Sequence, residues 1–270
     1  MLDGREDQAA GLRRLFRRAP PQVVALYVGG RTRTQNAVLA AHRIAGRAER
    51  VVILDEAEGS DTLADALGVS EGTDLLQLLD GRTRLSGILQ TVPGLVGRVP
   101  VAAAALALPL LDEARRACLV EALRILHRHA SFVLVHAAAE SVAEPSPFVQ
   151  AAPRRLVVAE ASASGATDAY RSIKGLAAAG AGSVHVAVCG ARGRADAAAF
   201  FRSLEALVVR HVGVPLAWLG ELERDDIAAG LRQPLELSQP EAGAAFLRRV
   251  AGLAAARSVS GTRIARRVGP

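Results

Sequence analysis

The chain has 270 residues, enough for one large core or at most two small ones. Half of them are hydrophobic but only 3% are aromatic, so the interior must be built from Ala, Val and Leu, which suits close helix–sheet packing. The net charge of +6 comes almost entirely from arginine, Lys174 being the only lysine; these charges are dispersed and not interleaved with aromatics, which argues against a specific nucleic-acid surface.

Residues 7–18 (DQAAGLRRLFRR) place Ala9, Leu12, Leu15 and Phe16 at helical spacing, and Ala19-Pro20-Pro21 then stops the helix as a stiff linker. QVVALYV (22–28) is a continuous apolar run that predicts a buried strand, followed by a helix over 34–46 and a second buried strand over 50–55. Helical patterning follows at 61–68 and 73–80. A strand is expected over 95–103, an amphipathic helix over 111–130 and a strand over 131–138. Strands over 154–161 and 183–190 flank a helix over 166–180; a helix over 196–213, a strand over 215–222 and a helix over 241–258 close the chain. This alternation predicts an α/β fold, a mostly parallel doubly wound sheet flanked by helices, preceded by a helical arm.

No apolar run reaches the roughly 18 residues of a membrane-spanning helix, and MLDGREDQAAGLRRL has no signal-peptide core, so a cytoplasmic location is expected. Cys118 and Cys189 do not form a close-spaced metal motif and are expected to be buried apolar thiols; no metal site is expected. Val259–Pro270 has three arginines and few large apolar residues, which allows at most weak peripheral contact with anionic lipid.

In an α/β nucleotide-binding fold the phosphates sit at the first strand–loop–helix. That segment here, YVGGRTRTQNAVLAA (27–41), resembles the loop of the MinD/ParA P-loop ATPases, whose pattern is KGGxGKT. The resemblance puts Gly29, Gly30 and Thr34 on family positions. Val28 falls on the signature lysine, Thr32 on the last glycine and Arg33 on the phosphate-gripping lysine. Threonine disfavours the φ > 0 geometry that close phosphate approach often needs, and a planar guanidinium does not replace a compact ammonium. Further along, the resemblance implies that Asp55 is retained but that Ala57 stands where a catalytic aspartate belongs. His136 stands at the magnesium-holding aspartate and Cys189 at the adenine-reading asparagine. These changes converge on one site and imply a pseudo-ATPase with no cofactor; the alternative is a divergent enzyme that still uses ATP with magnesium, Arg33 replacing lysine and Asp55 holding the metal.

The arm DQAAGLRRL (7–15) is similar to the DQAxxLR arm of the FlhG/FleN flagellar-number regulators, and ATDAYRSIKGL (166–176) to their TDAY-x-x-IK helix. In that branch the arm binds the signal-recognition-type GTPase FlhF and stimulates its GTP hydrolysis. The resemblance carries Asp7, Gln8, Ala9, Leu12 and Arg13 over as partner-binding residues, with an intact FlhG-like paralogue as a further partner and recruitment to the inner membrane or cell pole through a partner. The expected organisation is an arm over 1–21, a MinD/ParA-like α/β domain over 22–258 and a basic tail over 259–270. A non-flagellar adaptor on the same fold is the remaining alternative.

Overall fold

The structure, a computed structural model, describes residues 20–46, 49–58, 62–138, 144–233 and 244–252. Apolar runs become the strands β1 (Gln22–Val28), β2 (Val51–Asp55), β3 (Gly97–Pro100), β4 (Phe132–His136), β5 (Arg154–Glu160), β6 (Val184–Cys189) and β7 (Leu216–Glu221), largely buried on both faces except at the half-exposed β7. They form one seven-stranded sheet in the order β3-β2-β4-β1-β5-β6-β7. Every neighbouring pair is parallel. β2 to β4 lie on one side of β1 and β5 to β7 on the other, so the chain reverses direction around β1. Its carboxyl end is therefore a topological switch point, where open α/β sheets place their ligands.

The helices are α1 (Arg33–Ala45), α2 (Leu63–Leu67), α3 (Leu76–Leu79), α4 (Leu85–Ile88), α5 (Ala102–Ala107), α6 (Glu113–His129), α7 (Pro147–Ala151), α8 (Ala163–Ala178), α9 (Arg194–His211) and α10 (Ile227–Arg232). Strand residues alternate between two cores. Val23, Ala25 and Tyr27 join Leu123 of α6, Ile173 of α8, Leu204 of α9 and Phe246. Val24 and Leu26 join Ala37, Ala40 and Ile44 of α1 and Leu231 of α10. Alanines along α1 let its backbone lie close to the sheet.

The sheet edges differ. An antiparallel bridge between Gln90 and Arg98 partly covers β3. On the other edge, Trp218 of β7 packs on Phe201 with ring centroids 4.8 Å apart, yet stays 38% exposed.

The expected strand over 95–103 is shorter than predicted: it ends at Pro100 and α5 begins at Ala102. The cause lies far back in sequence. The Asp74 carboxylate accepts the N–H groups of Ala103 (3.0 Å) and Ala104 (3.1 Å) at the start of α5, and that of Leu76 (2.7 Å) in α3, so one side chain caps two helices. α8 starts three residues before its expected position because Ser162 caps it, accepting from Gly165 N–H at 3.0 Å. α4, α7 and α10 have no counterpart in the sequence reading; α7 is opened by Ser146 as cap with Pro147 in its first turn. Cys118 is exposed on α6 rather than buried; Cys189 is buried. The arm over 7–18 and the basic tail lie outside the described residues, and the expected closing helix is helical over its described part, 244–252. Among the described residues no helix is long and apolar enough to cross a membrane.

His127 and His185 are buried in the two layers. Burial drives the His127 pKa down to about 4. Burial, and then the charge of Arg154, does the same to His185, against a hydrogen bond to the Arg155 backbone. The folded state thus binds fewer protons than the unfolded chain between about pH 6.5 and 4, and stability falls as pH drops through that window, by up to about 3 kcal/mol per histidine. Thermal melts from pH 7 to 5 are expected to show this decline, and a His127→Gln/His185→Gln variant to flatten its slope.

Candidate functional site

The loop after β1 carries the sequence-predicted residues Val28, Gly29, Gly30, Thr32, Arg33 and Thr34. Val28 closes the strand, and Arg33 is exposed at the first position of α1, with Thr34 buried behind it. Gly30 has φ +99°, a left-handed conformation that suits glycine alone. Thr32 avoids that region at φ −104° and makes no side-chain cap to α1. It instead accepts from Asn36 Nδ2 at 3.0 Å.

Two carboxylates occupy this loop. Asp168, on the second turn of α8, accepts the Gly30 N–H at 3.1 Å. Glu160, the last residue of β5, accepts the Thr32 hydroxyl at 3.3 Å. A Cβ on Gly30 would come within 2.4 Å of Glu160 Oε2, and one on Gly29 within 2.7 Å of Asp168 Cβ, so both loop glycines are closed over by acidic side chains. Gly165 allows α8 to start this near: a Cβ there would meet the Glu160 carbonyl at 2.2 Å.

Beyond β4, the structure brings Asp55, Ala57 and His136 together. Asp55 and His136 are register partners at the ends of β2 and β4. His136 Nδ1 lies 2.8 Å from Asp55 Oδ1; because a carboxylate only accepts, Nδ1 carries the proton. Ala57 N–H donates to the same oxygen at 3.2 Å. Arg98 Nε donates to Asp55 Oδ2 at 2.7 Å in a fully buried ion pair. The other end of the guanidinium donates through Nη1 to the Glu71 carbonyl (2.8 Å) and Gln90 Oε1 (2.7 Å). Burial alone would raise the Asp55 pKa, but the hydrogen bond and charge of His136, then those of Arg98, outweigh it and hold the carboxyl below its usual value. Both oxygens of Asp55 are engaged, with a guanidinium alongside. As placed, this donor set does not fit a divalent cation, which needs free oxygen ligands. Among the described residues no group of three or more His, Cys, Asp or Glu side chains is arranged to hold a metal.

Cys189 ends β6 on the far side of the loop. Its thiol faces the Ala159 carbonyl at 3.7 Å. Burial, with the charges of Glu223 and Glu160, pushes its pKa to about 12, which leaves it an unreactive thiol. The partner-binding residues Asp7, Gln8, Ala9, Leu12 and Arg13 lie outside the described residues.

Sequence reasoning missed Arg98, Glu160, Asp168 and Glu56. An arginine inside the apolar run LVGRVPVAA was a signal, since an arginine in a buried strand needs an acid. Glu56 follows Asp55 directly and is buried; Ser146 donates to its Oε1 and Oε2 has no partner. Burial raises its pKa to about 7, the Ser146 hydrogen bond opposing and the Asp55 charge assisting.

Two measurements check these environments. Arg98→Met leaves Asp55 buried without its cation and is expected to cost about 3–5 kcal/mol by chemical denaturation, part of which Asp55→Asn in the same background restores. Glu56 stays protonated above the pH at which the unfolded chain ionises, so its contribution is present at low pH and lost as pH rises from about 4.5 through 7. Glu56→Gln should therefore stabilise at pH 8 by up to about 3 kcal/mol, with the difference fading toward pH 5 in parallel melts.

No protein-family profile matches the sequence. The sequence is similar to the antiactivator FleN of Pseudomonas aeruginosa, 30% identical over 157 residues, which span 57% of this chain and 56% of FleN. The match thus spans just over half the length of that relative. In three dimensions the chain is similar to MinD in the MinC:MinD cell division complex of Aquifex aeolicus, with a TM-score of 0.50 and 19% identity over 86% of this chain and 95% of that one. It is equally similar to a ParA family ATPase from Chlorobium tepidum, with a TM-score of 0.50 and 13% identity over 86% of this chain and 98% of that one. These structural likenesses are of fold. The seven-stranded parallel sheet thus shares the fold of MinD and of that ParA family ATPase, while the sequence likeness to FleN spans just over half of each chain.

Proposed function

We propose that the chain is a FlhG/FleN-like regulator of flagellar number or placement that acts by protein binding rather than by ATP turnover. The observation that supports this is the state of Asp55: it is spent on Arg98 and His136, so the residue that the enzymatic alternative needs for magnesium is already neutralised. Arg33, the other residue that alternative needs, is exposed at the first position of α1. The α/β domain then serves as a scaffold, and no nucleotide or metal is needed to hold it in its working state.

On this reading the N-terminal segment carries the activity. Asp7, Gln8, Ala9, Leu12 and Arg13 contact a FlhF-type GTPase, and Gln8 helps order its hydrolytic water, as glutamines do in other GTPases. The likeness to a protein named an antiactivator supports a regulatory role of this kind.

Capture of a purified FlhF-type GTPase by the intact chain, compared with a chain lacking residues 1–20, tests the proposal. The intact chain is expected to bind and to accelerate GTP hydrolysis, and the shortened chain to do neither. Micromolar binding of ATP with magnesium, seen by calorimetry, would overturn the view that the scaffold works without nucleotide. Failure of the intact chain to bind would point to an adaptor outside the flagellar system.

A further inference from the structure

The two carboxylates at the β1–α1 loop do more than fill space. The N-terminal end of a helix, with its exposed N–H groups, is a site of positive potential that attracts an anion. In this chain two carboxylates approach the loop just ahead of α1. Asp168 Oδ2 takes the Gly30 N–H, while its Oδ1 faces Arg171 at 3.7 Å. Glu160 lies against Gly30 and takes the Thr32 hydroxyl. The two acids come from separate places, a strand end and the second turn of a 16-residue helix, and approach the loop together. Neither contact is local: the partners are 138 and 128 residues apart.

We propose that Glu160 and Asp168 form an internal anion latch, which stands in for phosphate at the loop, ties the β1–α1 loop to β5 and α8 and keeps phosphate-bearing ligands out. The proposal deepens the nucleotide-independent regulatory reading and rests on it. The substitutions at Thr32 and Arg33 weaken what a phosphate would gain, and the latch adds like-charge repulsion at contact distance to whatever remains. Exclusion by charge is reversible in a way that loss of a lysine is not. With the carboxylates made neutral, the left-handed Gly30 turn and the N-terminus of α1 are again open to an anion.

The experiment compares pyrophosphate binding to the intact chain and to a Glu160→Gln/Asp168→Asn variant, which keeps side-chain shape and acceptor oxygens and removes both charges. Calorimetry is expected to show binding at least about tenfold tighter in the variant, with strong salt dependence, and a rise in its melting temperature that the parent lacks. Glu160→Gln alone, which keeps the Asp168 contact, should fall between them and guards against a misfolded double variant, whose fold circular dichroism checks. Faster hydrogen exchange at the Gly30 amide in Asp168→Ala is a second expected sign. Equal pyrophosphate affinity in parent and variant would overturn the latch, because the charges would then exclude nothing. Silence in both would also overturn it while leaving the regulatory reading intact. Binding of ATP with magnesium to the parent would instead sink the regulatory reading.

Discussion

The Arg98–Asp55–His136 cluster is the interaction on which the site depends. Three strands meet in it: β2 brings the carboxylate, β3 the guanidinium and β4 the imidazole. Buried charges are costly unless paired and hydrogen-bonded. Here Asp55 has His136, Arg98 and the Ala57 N–H, and Arg98 also has the Glu71 carbonyl and Gln90. The network therefore fixes β3 against β2 at the edge of the sheet, where a four-residue strand has little ladder of its own. The Asp55 carboxylate is a structural tie between three strands.

A parallel arrangement is visible at the loop, where acids take positions suited to anions. At both places charged and polar groups are satisfied within the chain. The apolar layers around them are an ordinary two-sided core. Within that frame the polar groups at the carboxyl ends of the strands bond to one another.

How far this was legible in the sequence depended on distance along the chain. β1 was readable to the residue because QVVALYV is a continuous apolar run flanked by Pro21 and Gly29. The parallel sheet followed from the alternation of strands and helices. The start of α5 was not readable, because the carboxylate that caps it sits at Asp74, about thirty residues upstream. The same holds for the site. Asp55, His136 and the loop glycines stand in recognisable patterns, but Arg98, Glu160 and Asp168 gain their meaning from partners 43 to 138 residues away. Cys118 was misjudged for another reason: thiols favour burial on average, but the face of α6 on which it sits points to solvent.

Trp218 gives the architecture a practical side. It is the single tryptophan of the chain, and it lies on the outer strand β7 against Phe201. The Arg98 cluster lies toward the opposite edge, with β1 between the two halves. Intrinsic fluorescence is therefore a local probe of one wing of the sheet, blind to the wing that carries the buried charges. Backbone dichroism averages both. The two signals superimpose when the sheet melts as one cooperative unit and separate when the wings part along β1, so this molecule carries its own gauge of how tightly its halves are coupled.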